Sequence, residues 1–343
     1  MSAILGVGAC TPIGLRADSA AAAYYSDIPN IQIHPRFIDA GGQRVSMAFV
    51  DAIERPREAD RMAMLATAAV RDLLAQPGVG GQEADLLLAL PAYRPGFDHE
   101  DARGFTAKIR DCLGSAIALG EVVMCQHDQA GGVVTLAMAM DRNAPGRGRH
   151  CVVVAADSYV GADTLDWIEA DQRLKTEENP FGLIPGEAAA AMLLGPPATR
   201  PGTPSIVGSG LVRETADAAP GPYLGRALSG ALLGATDALA SRQVPVKHLF
   251  VDLNGEIWRT DSFGNALVRA SPRFALEESF NILANRVGET GAAYGVLAAV
   301  FAVIGRRIGM LDGRHACICG SSSRSGARAA VVLDLGEGTS PWV

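Results

Sequence analysis

The sequence predicts an α/β fold made of two similar βα halves, and three observations carry this prediction. Hydrophobic residues make up 48% of the 343-residue chain and charged residues only 20%, which suits strands that helices cover on both faces. Short unbroken apolar runs alternate with longer Ala- and Leu-rich segments of helical character. The segment 205–210 resembles the segment 4–8, because both read as a strand with a Gly-x-Gly pair, so the pattern starts a second time.

The first half alternates strands and helices from the N-terminus onward. The apolar runs predict strands at 3–8, 84–90, 121–125 and 151–156, and the Ala- and Leu-rich segments predict helices at 15–25, 57–76, 101–118 and 133–142. Gly78 and Gly80 are expected to end the second of these helices. The small-residue turn 129–132 is expected to lead into the last one, and 151–156 to be a central strand.

The second half begins after a Pro- and Gly-rich segment at 195–204. We therefore expect an N-terminal half at 1–196 and a C-terminal half at 203–343, joined by a linker at 197–202. The same kinds of pattern predict strands at 205–210, 248–253, 315–319 and 328–335, and helices at 224–241 and 289–305.

Charge and cysteine content exclude several classes of function. The 37 acidic residues against 30 basic ones, without a basic block, argue against nucleic acid or an anionic membrane surface as a partner. No signal peptide is visible, and the apolar run 292–305 is too short to span a bilayer. The six cysteines are scattered, and Cys317-x-Cys319 is not a zinc spacing, so we expect a reduced cytoplasmic protein without a metal. The segment 6–14 departs from the G-x-G-x-x-G pattern, so no nucleotide cofactor is predicted.

Four segments, in order along the chain, resemble those of one family. They are the strand and turn 6–14, the segment 182–190 (Gly-Leu-Ile-Pro-Gly-Glu-Ala-Ala-Ala), the segment 287–293 (Val-Gly-Glu-Thr-Gly-Ala-Ala) and the C-terminal turn 321–329. Together they resemble the β-ketoacyl-acyl-carrier-protein synthases of the thiolase-fold superfamily. The resemblance implies a thiolase-like fold, with two duplicated βα halves stacked as five layers, α-β-α-β-α. It also implies a dimer, for which we expect the strand 151–156 to be the pairing edge.

The same resemblance implies a catalytic cysteine at a helix N-terminus, two histidines and a lysine. In this chain Gln129 occupies the position of the cysteine, and a carboxamide cannot form an acyl thioester. Asn254 occupies the position of the first histidine, Glu289 that of the second and Ala284 that of the lysine. In the C-terminal turn, Ser322 and Arg324 replace two phenylalanines. The glycines that shape the fold are kept while these side chains change, so the resemblance predicts a vestigial site without confident catalytic residues.

Two alternatives stay open at this site. Cys125 could be a displaced nucleophile, although burial in a strand is the commoner fate of such a cysteine. His127 and Asp128 complete a Cys-x-His-Asp pattern, which we interpret as a polar turn with Asp128 capping the following helix. Glu289 is interpreted as a capping residue, or as one half of an ion pair with Arg324 or Arg286 that fills the vacated cavity.

These substitutions predict a ketosynthase-like pseudoenzyme that binds other proteins as a partner subunit, adaptor or effector chaperone. The two settings are a chain-length-factor type of subunit and the thiolase-like proteins associated with type VI secretion effectors, and the short chain favours the second. Expected partners are a second copy or a ketosynthase-like subunit, a secreted effector or an acyl carrier protein. The alternative is an enzyme with atypical residues, a 3-oxoacyl-acyl-carrier-protein synthase, acyltransferase or decarboxylase acting on acyl thioesters. The sequence leaves open which partner is bound and whether an acyl ligand still binds.

Overall fold

The computed structural model describes residues 1–55, 57–144, 148–198, 201–214, 223–275 and 280–337. The strands in these ranges are β1 (Ser2–Cys10), β2 (Gln32–Ile38), β3 (Arg44–Met47), β4 (Glu83–Ala89), β5 (Ala118–Cys125), β6 (His150–Ser158), β7 (Glu187–Gly195), β8 (Ser205–Arg213), β9 (His248–Val251), β10 (His315–Ser321) and β11 (Ala327–Asp334). The helices are α1 (Ala17–Tyr25), α2 (Glu58–Leu74), α3 (His99–Leu113), α4 (Asp128–Arg142), α5 (Ala162–Ala170), α6 (Arg226–Ala240), α7 (Ile257–Ala270), α8 (Ala284–Val287) and α9 (Tyr294–Arg307).

The main sheet has nine strands in the order β5-β4-β6-β7-β1-β8-β11-β10-β9, and β2 and β3 form a separate hairpin. Its two parts repeat one pairing pattern. The first strand of each part is antiparallel to the last, as β1 is to β7 and β8 is to β11. On their other side, β7 and β11 are antiparallel to β6 and β10. These two strands in turn pair in parallel with β4 and β9. The duplication predicted from the sequence is therefore confirmed in the topology.

Five layers arise because two helices lie between the two parts of the sheet. Both α4 and α9 pack on strands of the first part and on strands of the second. The helix α9 is enclosed on all its faces over this stretch, since its consecutive residues 294–302 are all buried. The outer face of the first part is covered by α2, with α3 packed on it, and that of the second part by α6, with α7 packed on it. The predicted five-layer, thiolase-like arrangement is confirmed.

The two Gly-x-Gly pairs have the same physical role in the two halves. A Cβ atom built on Gly8 would lie 2.1 Å from the Ala69 carbonyl oxygen in α2. One built on Gly210 would lie 2.0 Å from the Ala231 carbonyl oxygen in α6. A side chain at either position would collide with a helix backbone, so glycine lets the outer helix lie directly on the strand. This close approach explains why the sequence pattern recurs.

Most predicted elements are confirmed within a few residues, but the structure corrects two expectations. The helix α4 begins at Asp128, so Gln129 lies inside its first turn and not in a turn before it. The strand β6, predicted to be the pairing edge of a dimer, lies between β4 and β7, and the edge strands of the sheet are β5 and β9. The predicted linker 197–202 falls between β7 and β8, and its residues 199 and 200 lie outside the described ranges. The division into halves at that linker stays a prediction.

Candidate functional site

The carboxamide of Gln129 is buried at the start of α4. Only 2% of the residue is exposed, and its Nε2 atom lies 3.5 Å from the hydroxyl oxygen of Tyr159. Burial raises the pKa of Tyr159 well above its usual value, so this hydroxyl stays protonated. A carboxamide and a neutral phenol offer hydrogen bonds at this point but no nucleophile.

Asp128 connects the start of α4 to two other segments. Its Oδ1 atom accepts a hydrogen bond from the Ala92 backbone N–H at 3.2 Å, and its Oδ2 atom accepts one from the Ser322 hydroxyl at 3.1 Å. The backbone of Asp128 has φ +45°, a left-handed conformation that is strained for a residue with a side chain. Our interpretation of Asp128 as a helix cap is wrong, because its carboxylate binds outside its own helix.

Neither Cys125 nor His127 forms a catalytic pair with Asp128. Cys125 ends β5, is 6% exposed and has its Sγ atom 3.7 Å from the Gly131 carbonyl oxygen. Burial raises the pKa of its thiol to about 11, so the thiol is protonated at neutral pH and unreactive. The Nδ1 atom of His127 is buried and finds no hydrogen-bond partner within the described ranges. The arrangement has the features of a buried structural cysteine.

Asn254 and Glu289, at the positions of the two histidines, are in direct contact. Both are buried, and the Asn254 Nδ2 group donates a hydrogen bond to the Glu289 carboxylate and another, at 3.0 Å, to Glu256. Glu289 also accepts the Gly291 backbone N–H at 2.7 Å, just before α9. The carboxylate therefore stabilises the turn that leads into α9, which is close to the predicted capping role.

The two ion pairs predicted for Glu289 do not form. Arg324 donates instead to the Tyr93 carbonyl oxygen at 2.9 Å and stacks 5.6 Å from the Trp167 ring. Arg286 pairs with Asp27 near the N-terminal helix. Both arginines are held by these partners, so the expectation that one of them fills the vacated cavity is wrong.

The cavity beside Asn254 and Glu289 is very small. Its volume is about 10 Å³, which is room for roughly one water molecule and not for an acyl chain. Asp252, Ala284 and Tyr294 also line it. The Tyr294 hydroxyl is buried and has no hydrogen-bond partner in the described part of the chain. The side chains themselves therefore occupy this space.

Arg94 lies at the centre of a buried ionic cluster that sequence reasoning missed. Its Nη2 group donates to Glu58 at 2.6 Å, to Asp157 at 2.7 Å and to the Ser158 carbonyl oxygen at 2.6 Å. The guanidinium also stacks 4.3 Å from the Tyr159 ring, which links the cluster to Gln129. One cation thus faces two carboxylates, and burial raises the pKa of both Glu58 and Asp157.

A second buried cluster surrounds Arg259 and was also missed. Its guanidinium pairs with Asp252 and, at 3.1 Å, with Glu256, and it stacks 4.4 Å from the Trp258 ring. Arg173 reaches the other oxygen of Glu256 at 2.7 Å. Burial alone would raise the pKa of Glu256, but the two guanidiniums outweigh it and hold the pKa at about 2. Glu256 is therefore ionised, and the cluster joins Asn254 to α7.

Glu58 is expected to make the stability of the protein fall between about pH 5 and pH 7. Burial, only partly opposed by Arg94, raises its pKa from 4.5 to about 7. The folded chain then binds more protons than the unfolded chain in this range, so the free energy of unfolding decreases as the pH rises through it. We expect Glu58 to contribute a loss of roughly 1–3 kcal/mol, to be measured by urea unfolding at pH 5 and 7.5.

The matched variant for this prediction is Glu58→Gln, which keeps a hydrogen-bond acceptor for Arg94 but does not titrate. Its unfolding free energy should change less between the two pH values than that of the unaltered protein. Equal pH dependence in the two proteins would show that Glu58 titrates normally and would contradict the raised pKa.

The comparisons with known proteins find similarity in structure alone. No protein-family model matches the sequence, and no curated protein matches it. A type II polyketide ketosynthase, solved as the AntDE:AntF complex with its acyl-carrier protein, is similar with a TM-score of 0.75 at 15% identity, over 97% of this chain and 98% of that one. The ishigamide ketosynthase/chain length factor has a TM-score of 0.75 at 16% identity, over 98% and 99% of the two chains. A β-ketoacyl synthase from Burkholderia phymatum has a TM-score of 0.70 at 14% identity, over 97% and 98%.

These matches cover almost the full length of each pair of chains, and they agree with the topology and layers described above. At these identities the matches establish the fold only. The chemistry of the site has to be argued from its own residues. In the described residues, no helix is both long and apolar enough to cross a membrane. We conclude that the chain has the thiolase-like fold of the ketosynthases.

Proposed function

We propose that this protein is a ketosynthase-like pseudoenzyme that acts by binding other proteins. One observation carries the proposal: the positions that hold Cys, His and His in the synthases it resembles hold Gln129, Asn254 and Glu289 here. None of these side chains is a nucleophile that forms an acyl thioester. The cavity beside Asn254 and Glu289, of about 10 Å³, would not admit the acyl chain of a substrate.

The surrounding charges support the same proposal. Synthases of this type need an activated thiolate, and a buried thiol with a raised pKa, such as that of Cys125, supplies none. In the Arg94 and Arg259 clusters every carboxylate is buried and paired with a guanidinium, so neither cluster presents an exposed acid or base to a substrate. Breaking a buried ion pair is strongly destabilising, so these clusters have a structural role in the fold.

The edge strand β5 supports a dimer as the binding form. It pairs with β4 on one side, and its pattern of exposed and half-buried residues leaves the other side open to a strand of a second subunit. That subunit is a second copy or a ketosynthase-like protein, and a ketosynthase/chain length factor is among the similar structures. The proposed clients are a type VI secretion effector or an acyl carrier protein, and the proposed location is the cytoplasm.

Intact-mass measurement after incubation with acyl-CoA and acyl-acyl-carrier-protein donors tests the absence of catalysis. We expect no covalent adduct and no thioester turnover above that of a Gln129→Ala variant, because no activated nucleophile faces the site. Cys125→Ser is the control for acylation of the nearest thiol. An adduct that either substitution removes would overturn the proposal in favour of the alternative, an acyl-thioester enzyme with atypical residues.

Purification of the tagged protein from its own cells tests the binding role. Recovery of a ketosynthase subunit supports the chain-length-factor setting, and recovery of a secreted toxin or spike component supports the type VI secretion setting. If the protein carries neither of these, and no acyl carrier protein, under gentle conditions, the binding role is contradicted.

A further inference from the structure

We propose that a groove on the outer face of the first half binds an aliphatic chain that ends in a single negative charge. This outer groove lies between α2, α3 and the segments that follow β1 and β3, and has a volume of about 760 Å³. It shares no lining residue with the small cavity beside Asn254 and Glu289. The inference is therefore independent of the proposed function.

The walls of the outer groove are apolar over a length that suits an alkyl chain. On α2 the lining runs from Ala63 to Arg71, which is about 12 Å along the helix axis. Met64 and Leu15 line the opening and are 42% and 54% exposed, which is unfavourable for large apolar side chains in water. Cys10 and Val50 form a buried floor, so the groove extends below the surface.

One end of the outer groove is positively charged. Arg71, in the last turn of α2, lines it and forms no ion pair with a carboxylate of the described residues. Lys108 on α3 is paired only through an exposed contact of 3.2 Å with Asp60, which contributes little and can exchange. Asp111 also lines the groove and would repel a dianion. A carboxylate or sulfate monoester therefore fits this end better than a phosphate.

The composition of the outer groove favours a small molecule over a protein partner. Protein interfaces are anchored by tryptophan and tyrosine, and none of the described residues that line this groove is aromatic. Its volume lies within the range of small-molecule sites, which are mainly apolar with a few polar groups that fix orientation. A linear aliphatic chain meets the apolar wall of α2 while its anionic end reaches Arg71.

Calorimetric titration with dodecanoate, below its critical micelle concentration, tests the charge and the chain together. We expect saturable 1:1 binding, while acetate and dodecyltrimethylammonium bind at least tenfold more weakly. Arg71→Gln should weaken dodecanoate binding about tenfold, equivalent to about 1.4 kcal/mol. Arg57→Gln is the matched control, since Arg57 is exposed at the other end of α2 and lies outside the groove. Equal binding of the cationic chain, or an unchanged affinity in Arg71→Gln, would overturn the proposal.

The labelling rate of one thiol, that of Cys112, shows whether dodecanoate binds in the outer groove. Cys112 lines the outer groove and is partly exposed, whereas the other five cysteines are buried. Dodecanoate should slow the labelling of Cys112 by a maleimide, and Met64→Asn should weaken both this protection and the binding. Both substituted side chains, Arg71 and Met64, are exposed, so the fold should be kept, which a thermal melt checks. Binding without protection of Cys112, or binding of an acidic amphipathic peptide in preference to dodecanoate, would also overturn the proposal.

Discussion

The Gly8→Ala variant is expected to lose about 3 kcal/mol or more of folding stability, or to fail to accumulate as folded protein. The added Cβ atom would lie 2.1 Å from the Ala69 carbonyl oxygen and 2.6 Å from the Leu73 backbone nitrogen. Both are backbone atoms of α2, so no side chain can rotate away, and relief requires the helix to move off β1. Urea unfolding of the purified variant, compared with the unaltered protein, measures the effect.

The two halves offer both a repeat of this experiment and a matched control. Gly210→Ala should have a similar effect, because its Cβ atom would lie 2.0 Å from the Ala231 carbonyl oxygen in α6. Gly264, inside α7, has open space around the same position. Gly264→Ala should therefore stabilise the protein by about 0.5–1 kcal/mol. If Gly8→Ala and Gly264→Ala were equally stable, the close approach of α2 to β1 would be disproved.

The fold could be predicted from local patterns because most elements have a clear hydrophobic period. The strand β7 is an instructive exception. It contains Ala188–Ala191, and alanine is the strongest helix former, so the segment gave no strand signal. It is a strand because it lies between β6 and β1, where two neighbours pair with it and small side chains fit beneath α2. Tertiary context overrides propensity there, and a single sequence does not contain that context.

Part of the candidate site could be predicted, because some of its residues lie in short segments with a recognisable local pattern. Gln129, Asn254 and Glu289 each lie in a short segment whose glycines and apolar residues mark its place in the fold. The ionic clusters have no such local sequence pattern, because their members are far apart in sequence. Arg94 is separated from Glu58 by 36 residues and from Asp157 by 63. Only the assembled fold brings their side chains together, and the same holds for the contact between Asp128 and Ser322.

Removing the guanidinium in an Arg94→Met variant is expected to cost about 3–5 kcal/mol of folding stability. The side chains of Arg94, Glu58 and Asp157 are all no more than 1% exposed, so Glu58 and Asp157 would remain buried without their cation. The loss should be largest above pH 7, where Glu58 must ionise, and smaller near pH 5, where a proton replaces part of the missing charge. Urea unfolding at the two pH values measures both effects.

A double variant separates the buried charge from the loss of packing. Adding Glu58→Gln to Arg94→Met removes one of the two stranded carboxylates, so it should restore part of the lost stability, whereas independent effects would only add. Arg57→Ala is the control for a surface ion pair: Arg57 is 70% exposed and 2.8 Å from Asp101, and its loss should cost less than about 1 kcal/mol. If Arg94→Met cost no more than Arg57→Ala, the Arg94 cluster would not hold the region beneath Gln129 together.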